Sequence, residues 1–571
     1  MSARWVPTPQ SRARLSQALA VVVLVAVRWW VTRDRFVYSV TTDEASQLAI
    51  ARTLSGARPF RLVGNGVDAG FGTLVAPIYA VVDDPELAFR LVLMANVALA
   101  VVTLFVLRAL LRRIPKVEDT PATWSAAIAL LLPGAAMQTP YTGSEVLVVL
   151  VIAVVLLLAV MLDEPRGEWA AFGLAVAAAS TLLLHSRLAL VVGVTVVILV
   201  LAVVTKSLRP TVAAGATVVL LVLSWGALQF NEWVYELVWL PGASDAGQFE
   251  ELLARLGRPL GILASAAGMT WHQLVATFGL VVVGAGHLVA TSVGRGSGPR
   301  VGPREWPSIR ILLVLGAAAA PAAVFMAARG RPWFMVYGRY WDALAVPLVA
   351  IGVAFLVSVA RRRRTTVFAQ ALLATAIGGG LFALVRHDTI LALSEEYGFG
   401  NPRRIAALLA FARPGDLLDV AQITVTAIAA MALVLAVLVV TRRHHRVVAI
   451  AVLVLLAAGA TVRASVHLND AGLGLTRWRP AMTLVEDGVL PRDERVAFLL
   501  DEAAWDIDPR FPFTGYQFYE PDVEFVGLEA DDLVDYDYAV APVDDPLLRQ
   551  EGWAVVFEHP NGLGTAVWAR P

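Results

Sequence analysis

Long apolar runs, separated by short polar joints, make up most of this chain. From Leu15 to Ala464 the runs are roughly 17–22 residues long, enough to cross a bilayer as a helix. The pattern predicts about thirteen spans. The first begins near Leu15, and the others begin near Glu86, Pro121, Ser144, Glu168, Arg187, Thr211, Leu274, Ser308, Trp341, Val367, Asp419 and Val447. The first run follows Arg4, Arg12 and Arg14 and ends in Arg28-Trp29-Trp30 rather than in a small-residue cleavage site. It therefore reads as a signal anchor, with tryptophan at the interface.

Charge in the joints sorts by side. Arg108/Arg112/Arg113/Lys116, Arg166, Lys206/Arg209, Arg295/Arg300/Arg304, Arg361–Arg364 and Arg442/Arg443/Arg446 fall on alternate joints, together with the basic N-terminus. The positive-inside rule makes that side cytoplasmic, and an odd number of spans places the C-terminus outside. Four longer segments, Val31–Pro85, Asn231–His272, His387–Leu418 and the tail, then lie outside, which directs attention there for chemistry or recognition. In the short pair of spans around His185, Arg187 interrupts an otherwise apolar stretch.

Beyond Val466 the chain changes character. The last segment, Val466–Pro571, holds 21 acidic and 7 basic residues, so the zero net charge conceals a tail near −14 and a membrane part near +14. Short strands are predicted near Arg495–Leu500, Val523–Val526, Tyr536–Ala541, Trp553–Glu558 and Gly564–Ala569, the last two flanking an Asn561-Gly562 turn. The expected fold class is thus a polytopic α-helical membrane protein with a small α/β or α+β domain, about 100 residues long, at its C-terminus.

Composition adds exclusions. Only 16% of the 571 residues are charged, against about a quarter in a soluble protein. There is no cysteine, which removes disulfides and thiolate metal sites. No Walker loop, GxGxxG or HExxH occurs, and the missing phosphate loop argues against an ATP-driven pump.

Several constellations could carry chemistry. Thr41–Gly56 predicts a short amphipathic helix along the outer surface, with Leu48, Ala51 and Leu54 on its apolar stripe and Asp43 and Glu44 in its first turn. Glu44 also completes a capping box with Thr41. Arg187 follows His185-Ser186 at the outer end of a helix, where it either snorkels or grips a phosphate in a bidentate fork. Arg329–Tyr340 interleaves Arg329, Arg331 and Arg339 with aromatics on the outer side, against the topological charge bias, and fits either an aromatic belt or a pocket for an anionic head group. Glu145 opens a span behind Ser144, a candidate cap. Asp83-Asp84-Pro85 reads as a loop turn, and Asp531, Asp532, Asp535 and Asp537 as a solvated acidic face.

Asp43-Glu44 after the first helix, opening a short helix that ends in Gly56, resembles the GT-C polyprenyl-phosphate-dependent glycosyltransferases, which include the protein O-mannosyltransferases and the lipid A aminoarabinose transferases. Gly70-Phe71-Gly72 to Pro77, Thr139-Pro140 to Ser144-Glu145 and His185-x-Arg187 are similar too, and Tyr337-Gly338-Arg339-Tyr340 looks like a stretch found in actinobacterial members. Where aminoarabinose transferases carry an arginine soon after the Asp-Glu pair, this chain has Ser46 and Gln47.

The resemblance implies transfer of a sugar, with inversion, from a polyprenyl-phosphate donor to a cell-envelope acceptor at the outer face of the plasma membrane. Asp43 and Glu44 would be catalytic, Arg187, Arg339 and Arg331 would bind the donor phosphate, and Glu145, His185 and Tyr340 would line the substrate. The expected partners are the lipid donor, membrane lipid and a glycan, lipid or protein acceptor, with no nucleic acid. No cofactor is implied, and a divalent metal is left open. Two other classes stay in view: a scaffold binding cell-wall polymer or a partner through the acidic tail, and a transporter of lipid-linked sugars.

Overall fold

The structure, a computed structural model, describes residues 9–35, 42–56, 62, 66–114, 116–239, 255–293, 306–327, 335–397, 405–413, 418–441, 445–472, 484–485, 487–500, 513, 516–517, 522–528, 533, 535–558 and 564–571. Arg331, Thr41 of the capping box, Asp531, Asp532 and the Asn561-Gly562 turn lie outside them.

The helices are α1 (Pro9–Thr32), α2 (Thr42–Leu54), α3 (Gly70–Tyr79), α4 (Pro85–Leu111), α5 (Asp119–Leu131), α6 (Pro133–Ala136), α7 (Glu145–Met161), α8 (Gly167–Leu184), α9 (Ala189–Val204) and α10 (Pro210–Val238). They continue as α11 (Pro259–Ala276), α12 (Leu280–Ser292), α13 (Trp306–Met326), α14 (Arg339–Ser358), α15 (Arg361–Tyr397), α16 (Val420–Val440) and α17 (His445–Gly472). Proline opens α4, α10 and α11, where its missing N–H costs nothing. Asp84 and Asp419 cap α4 and α16, accepting from Leu87 N at 2.6 Å and Gln422 N at 2.8 Å.

Among the described residues, ten helices are long and apolar enough to cross a membrane, and the pair α11–α12, bent by 108°, would make an eleventh. The bend falls at Phe278 and Gly279, with φ of 52° and 67°, a left-handed corner that the glycine adopts without strain. The expected spans near Pro121 and Ser144 correspond to α5 and α7, with 13 and 17 residues. Helices occupy the expected positions, the one at Leu274 beginning earlier at Pro259. But α5 and α7 are too short to count, so the described residues supply ten or eleven spans in place of about thirteen. Both helices around the Arg187 interruption are long enough.

The C-terminal part forms a five-stranded sheet of β1 (Arg495–Leu499), β2 (Glu524–Leu528), β3 (Tyr538–Pro542), β4 (Ala554–Glu558) and β5 (Thr565–Ala569), in the order β2-β1-β3-β5-β4. The β1 strand runs parallel to β2 and β3, and β5 antiparallel to β3 and β4, with Val540 opposite Val567. The five strands stand within two residues of the predicted positions.

One expectation changes. The predicted amphipathic helix does form as α2, but it does not lie along a surface. Every residue from Glu44 to Arg52 is buried, the polar ones included. Leu48, Ile50, Phe71 and Phe89 share one apolar core with Phe498, Phe513, Tyr516 and Phe525 of the C-terminal part. Arg52 Nη1 donates to the Gln517 carbonyl at 2.7 Å across that boundary. A stripe of three residues failed to predict this because the covering surface lies more than 400 positions downstream in sequence.

Candidate active site

Asp43 stands in the first turn of α2 with a side chain 42% exposed. Its Oδ2 accepts from Arg339 Nη1 at 2.5 Å. Arg339 opens α14 and is buried, and it also donates from Nε to Glu145 Oε1 at the start of α7. Three helices from distant parts of the chain therefore place one guanidinium between two carboxylates. Glu145 is 1% exposed, so the Arg339–Glu145 pair is a buried charge pair, costly to break from one side alone. The half-exposed Asp43 side is more weakly held.

The loop that delivers Glu145 is fixed from several directions. Arg28, buried in α1, donates to Thr139 Oγ1 at 2.6 Å and to the Leu130 carbonyl at 2.8 Å. Asn96 Nδ2 donates to the Tyr141 carbonyl at 2.8 Å. Thr142 N donates to Glu44 Oε1 at 2.8 Å, and Glu44 Oε2 pairs with Arg35 at 3.4 Å. Glu44 is fully buried in these contacts and ties α2 to the loop. Ser144 stands at the N-terminus of α7 but makes no side-chain capping bond, contrary to expectation.

On the other side of Arg339 the chain supplies a second cation. Helix α8 ends at His185, and a 3-10 turn, Ser186–Leu188, carries Arg187. The Arg187 guanidinium lies 3.4 Å from the centroid of the Tyr340 ring, the residue after Arg339. Stacking of this kind stabilises a desolvated cation. Arg187 Nη1 is buried with no hydrogen-bond partner among the described residues. A buried guanidinium N–H in that state is suited to an anionic oxygen. His185 meets Tyr340 edge to face at 5.7 Å, and Tyr337 packs on Tyr340 at 4.7 Å. Burial, then the neighbouring Arg187 charge, holds the His185 imidazole well below its ordinary range, so it is neutral near pH 7.

Sequence reasoning missed the support beneath this cluster. Asp68 Oδ2 accepts from Ser186 N at 2.8 Å, and Asp68 Oδ1 accepts from Asn231 Nδ2 at 3.0 Å. Asn231 Oδ1 accepts from Ala69 N at 3.0 Å, and Gln47 on α2 donates to the Asp68 carbonyl at 3.0 Å. Asp68 sits in a loop, Asn231 on a span and Gln47 where an arginine was looked for, so no spacing links them.

Asp43, Glu145, His185, Arg187, Arg339 and Tyr340 thus meet in one place, whereas Arg331 lies outside the described residues. Among the described residues no group of three or more His, Asp or Glu side chains is placed to hold a metal ion. A site with two guanidinia, a half-exposed carboxylate and aromatic walls can bind an anion and take up a proton beside it.

No family model matches the sequence, and no curated protein matches it. Solved structures do. ArnT from Cupriavidus metallidurans in its apo state superposes with a TM-score of 0.55 at 14% identity, over 98% of each chain. The same protein bound to undecaprenyl phosphate gives 0.53 at 14%, again over 98% of both chains. From the first span to the last strand, this chain shares the fold of ArnT, the GT-C-like architecture that its motifs resembled.

Proposed function

We propose that the chain is a membrane glycosyltransferase that takes a sugar from a polyprenyl-phosphate donor and passes it to a hydroxyl of a cell-envelope acceptor at the outer face of the plasma membrane. The observation that carries the reading is the 2.5 Å contact between Asp43 and Arg339, next to the unsatisfied Nη1 of Arg187. A fold shared with a protein solved on undecaprenyl phosphate supports it.

The acceptor oxygen attacks the anomeric carbon. The carbon–oxygen bond to phosphate breaks with its electron pair staying on the phosphate, and the hydroxyl proton passes to Asp43. One displacement inverts the anomeric centre. Phosphate leaves as a stable anion, so no acid has to protonate it, unlike the leaving alkoxide in a glycosidase. Arg187 and Arg339 take up the charge that develops on the phosphate oxygens. Asp43 serves as base or orients the hydroxyl. In the donor-free site Arg339 neutralises Asp43. Phosphate competes for Arg339 and so frees the carboxylate as the donor settles.

The test supplies purified protein with a panel of polyprenyl-phosphate sugars and measures release of the polyprenyl phosphate. Release by wild type and its loss in an Arg187→Ala/Arg339→Gln variant support the reading. Equal release by both, or none with any donor, removes it.

A further inference from the structure

A second set of buried polar side chains lies one helical turn beyond Arg339, and the glycosyl-transfer chemistry makes no use of it. His272 and Gln273 stand near the end of α11, and Asp342 in the first turn of α14. All three are buried, His272 completely. Polar groups in such a place are costly unless they hold something.

Their contacts enclose Arg339. His272 Nδ1 lies 3.0 Å from the Val336 carbonyl, and because a carbonyl only accepts, this nitrogen carries the proton. The other ring nitrogen, Nε2, lies 3.4 Å from Asp342 Oδ1 and makes no hydrogen bond among the described residues. Gln273 Nε2 donates to the same oxygen at 2.8 Å. Between Val336 and Asp342 comes Gly338, whose Cα presses on the ring so closely that a Cβ there would stand 1.9 Å from His272 Nε2. With φ −85° at Gly338, the requirement for glycine is the ring and not the backbone. The Asp342 N–H completes the turn by donating to the Gly338 carbonyl at 2.8 Å.

We infer that His272, Gln273 and Asp342 are positioning residues for Arg339: α11 grips the Val336–Asp342 turn on both sides of the arginine, at Val336 and Gly338 before it and at Asp342 after it, and so fixes where its guanidinium stands between Asp43 and Glu145. The role assigned to Arg339 in donor binding rests on the proposed function, whereas the bracket itself is a matter of geometry. Arginine on a long flexible stem gives bidentate recognition only if its backbone is fixed, and a shift of about 1 Å at such a site can cost on the order of 10²-fold in rate.

The experiment uses the full chain in detergent, with undecaprenyl phosphate as the binding probe and thermal unfolding as a second readout. Gly338→Ala is expected to bind the probe at least tenfold more weakly than wild type, because its methyl strikes the His272 ring. Adding His272→Ala makes room for that methyl, and the double variant is expected to bind at least threefold more tightly than Gly338→Ala alone. Single-variant binding within threefold of wild type, or a double variant no better than the single, overturns the bracket. Should wild type bind no undecaprenyl phosphate, the donor reading falls, and the bracket is decided by thermal unfolding. Glu145→Gln must then lower the unfolding temperature of wild type by several degrees and that of Gly338→Ala by less than half as much, and equal losses in the two backgrounds overturn it.

Discussion

Arg339 Nη1 lies 2.5 Å from Asp43 Oδ2, although 296 positions separate the two in sequence. The same guanidinium is held by Glu145, so a single buried cation joins the starts of α2, α7 and α14. The contact assigns different tasks to two carboxylates that share one partner. Glu145, buried, fixes the arginine, and in the proposed mechanism Asp43, half-exposed, exchanges it for a proton.

Glu145→Gln is therefore expected to destabilise the protein by about 3–5 kcal/mol, because it leaves Arg339 charged and buried with one partner fewer. Glu145→Gln/Arg339→Met should recover part of that loss. Thermal unfolding of the single and double variants in one detergent checks both, and a double variant less stable than either single would count against the pair.

Arg187 should govern donor affinity. Arg187→Ala is expected to raise the KM for the donor by about tenfold or more while changing stability little, since it removes a charge-assisted contact worth about 1.5–3 kcal/mol. Arg187→Lys should recover only part of it, because an ammonium neither stacks as a plane on Tyr340 nor forks on phosphate. Tyr340→Phe keeps the ring and should stay close to wild type, whereas Tyr340→Leu should lose several-fold. Steady-state kinetics on this series separates stacking from charge.

His185 makes stability depend on pH with a definite sign. Its folded value lies well below the unfolded one near 6.5. As pH falls through that value the unfolded chain takes up a proton that the folded chain refuses, so stability declines on the acidic side and is full above it. The unfolding temperature between pH 8 and pH 5 should fall less steeply in His185→Phe than in wild type. Parallel curves would contradict this.

The shared core between α2 and the C-terminal sheet predicts that the sheet is needed for the site. Phe498→Ala, at a fully buried position of that core, should cost about 3–5 kcal/mol and lower turnover although it lies far from Asp43 in sequence. Unfolding and turnover measured on one preparation give the answer, and full activity at unchanged stability would show that the sheet folds apart from α2.

How much of this was legible in the sequence follows from range. Helical spans and strands are local patterns, and apolar run length, with a turn signal between the last two strands, placed them. Glu145, His185 and Arg187 stood out at the ends of apolar runs, Arg339 and Tyr340 in an arginine–aromatic stretch and Asp43 at the start of a short amphipathic helix, and the motif resemblance supplied their order. What stayed hidden depends on distant partners. The burial of α2 needs Phe498 and Gln517, and the task of Glu44 needs Thr142 and Arg35. The Asp68–Asn231 and His272–Asp342 contacts join a loop to a span and one span to another, at separations no periodicity encodes.

The most direct test of the central claim compares wild type with Asp43→Asn for two quantities in one preparation: affinity for undecaprenyl phosphate, and turnover of a polyprenyl-phosphate sugar. The account predicts binding within about threefold of wild type and turnover lower by about 10²–10⁴, the range for losing a general base. Undiminished turnover in Asp43→Asn would contradict it.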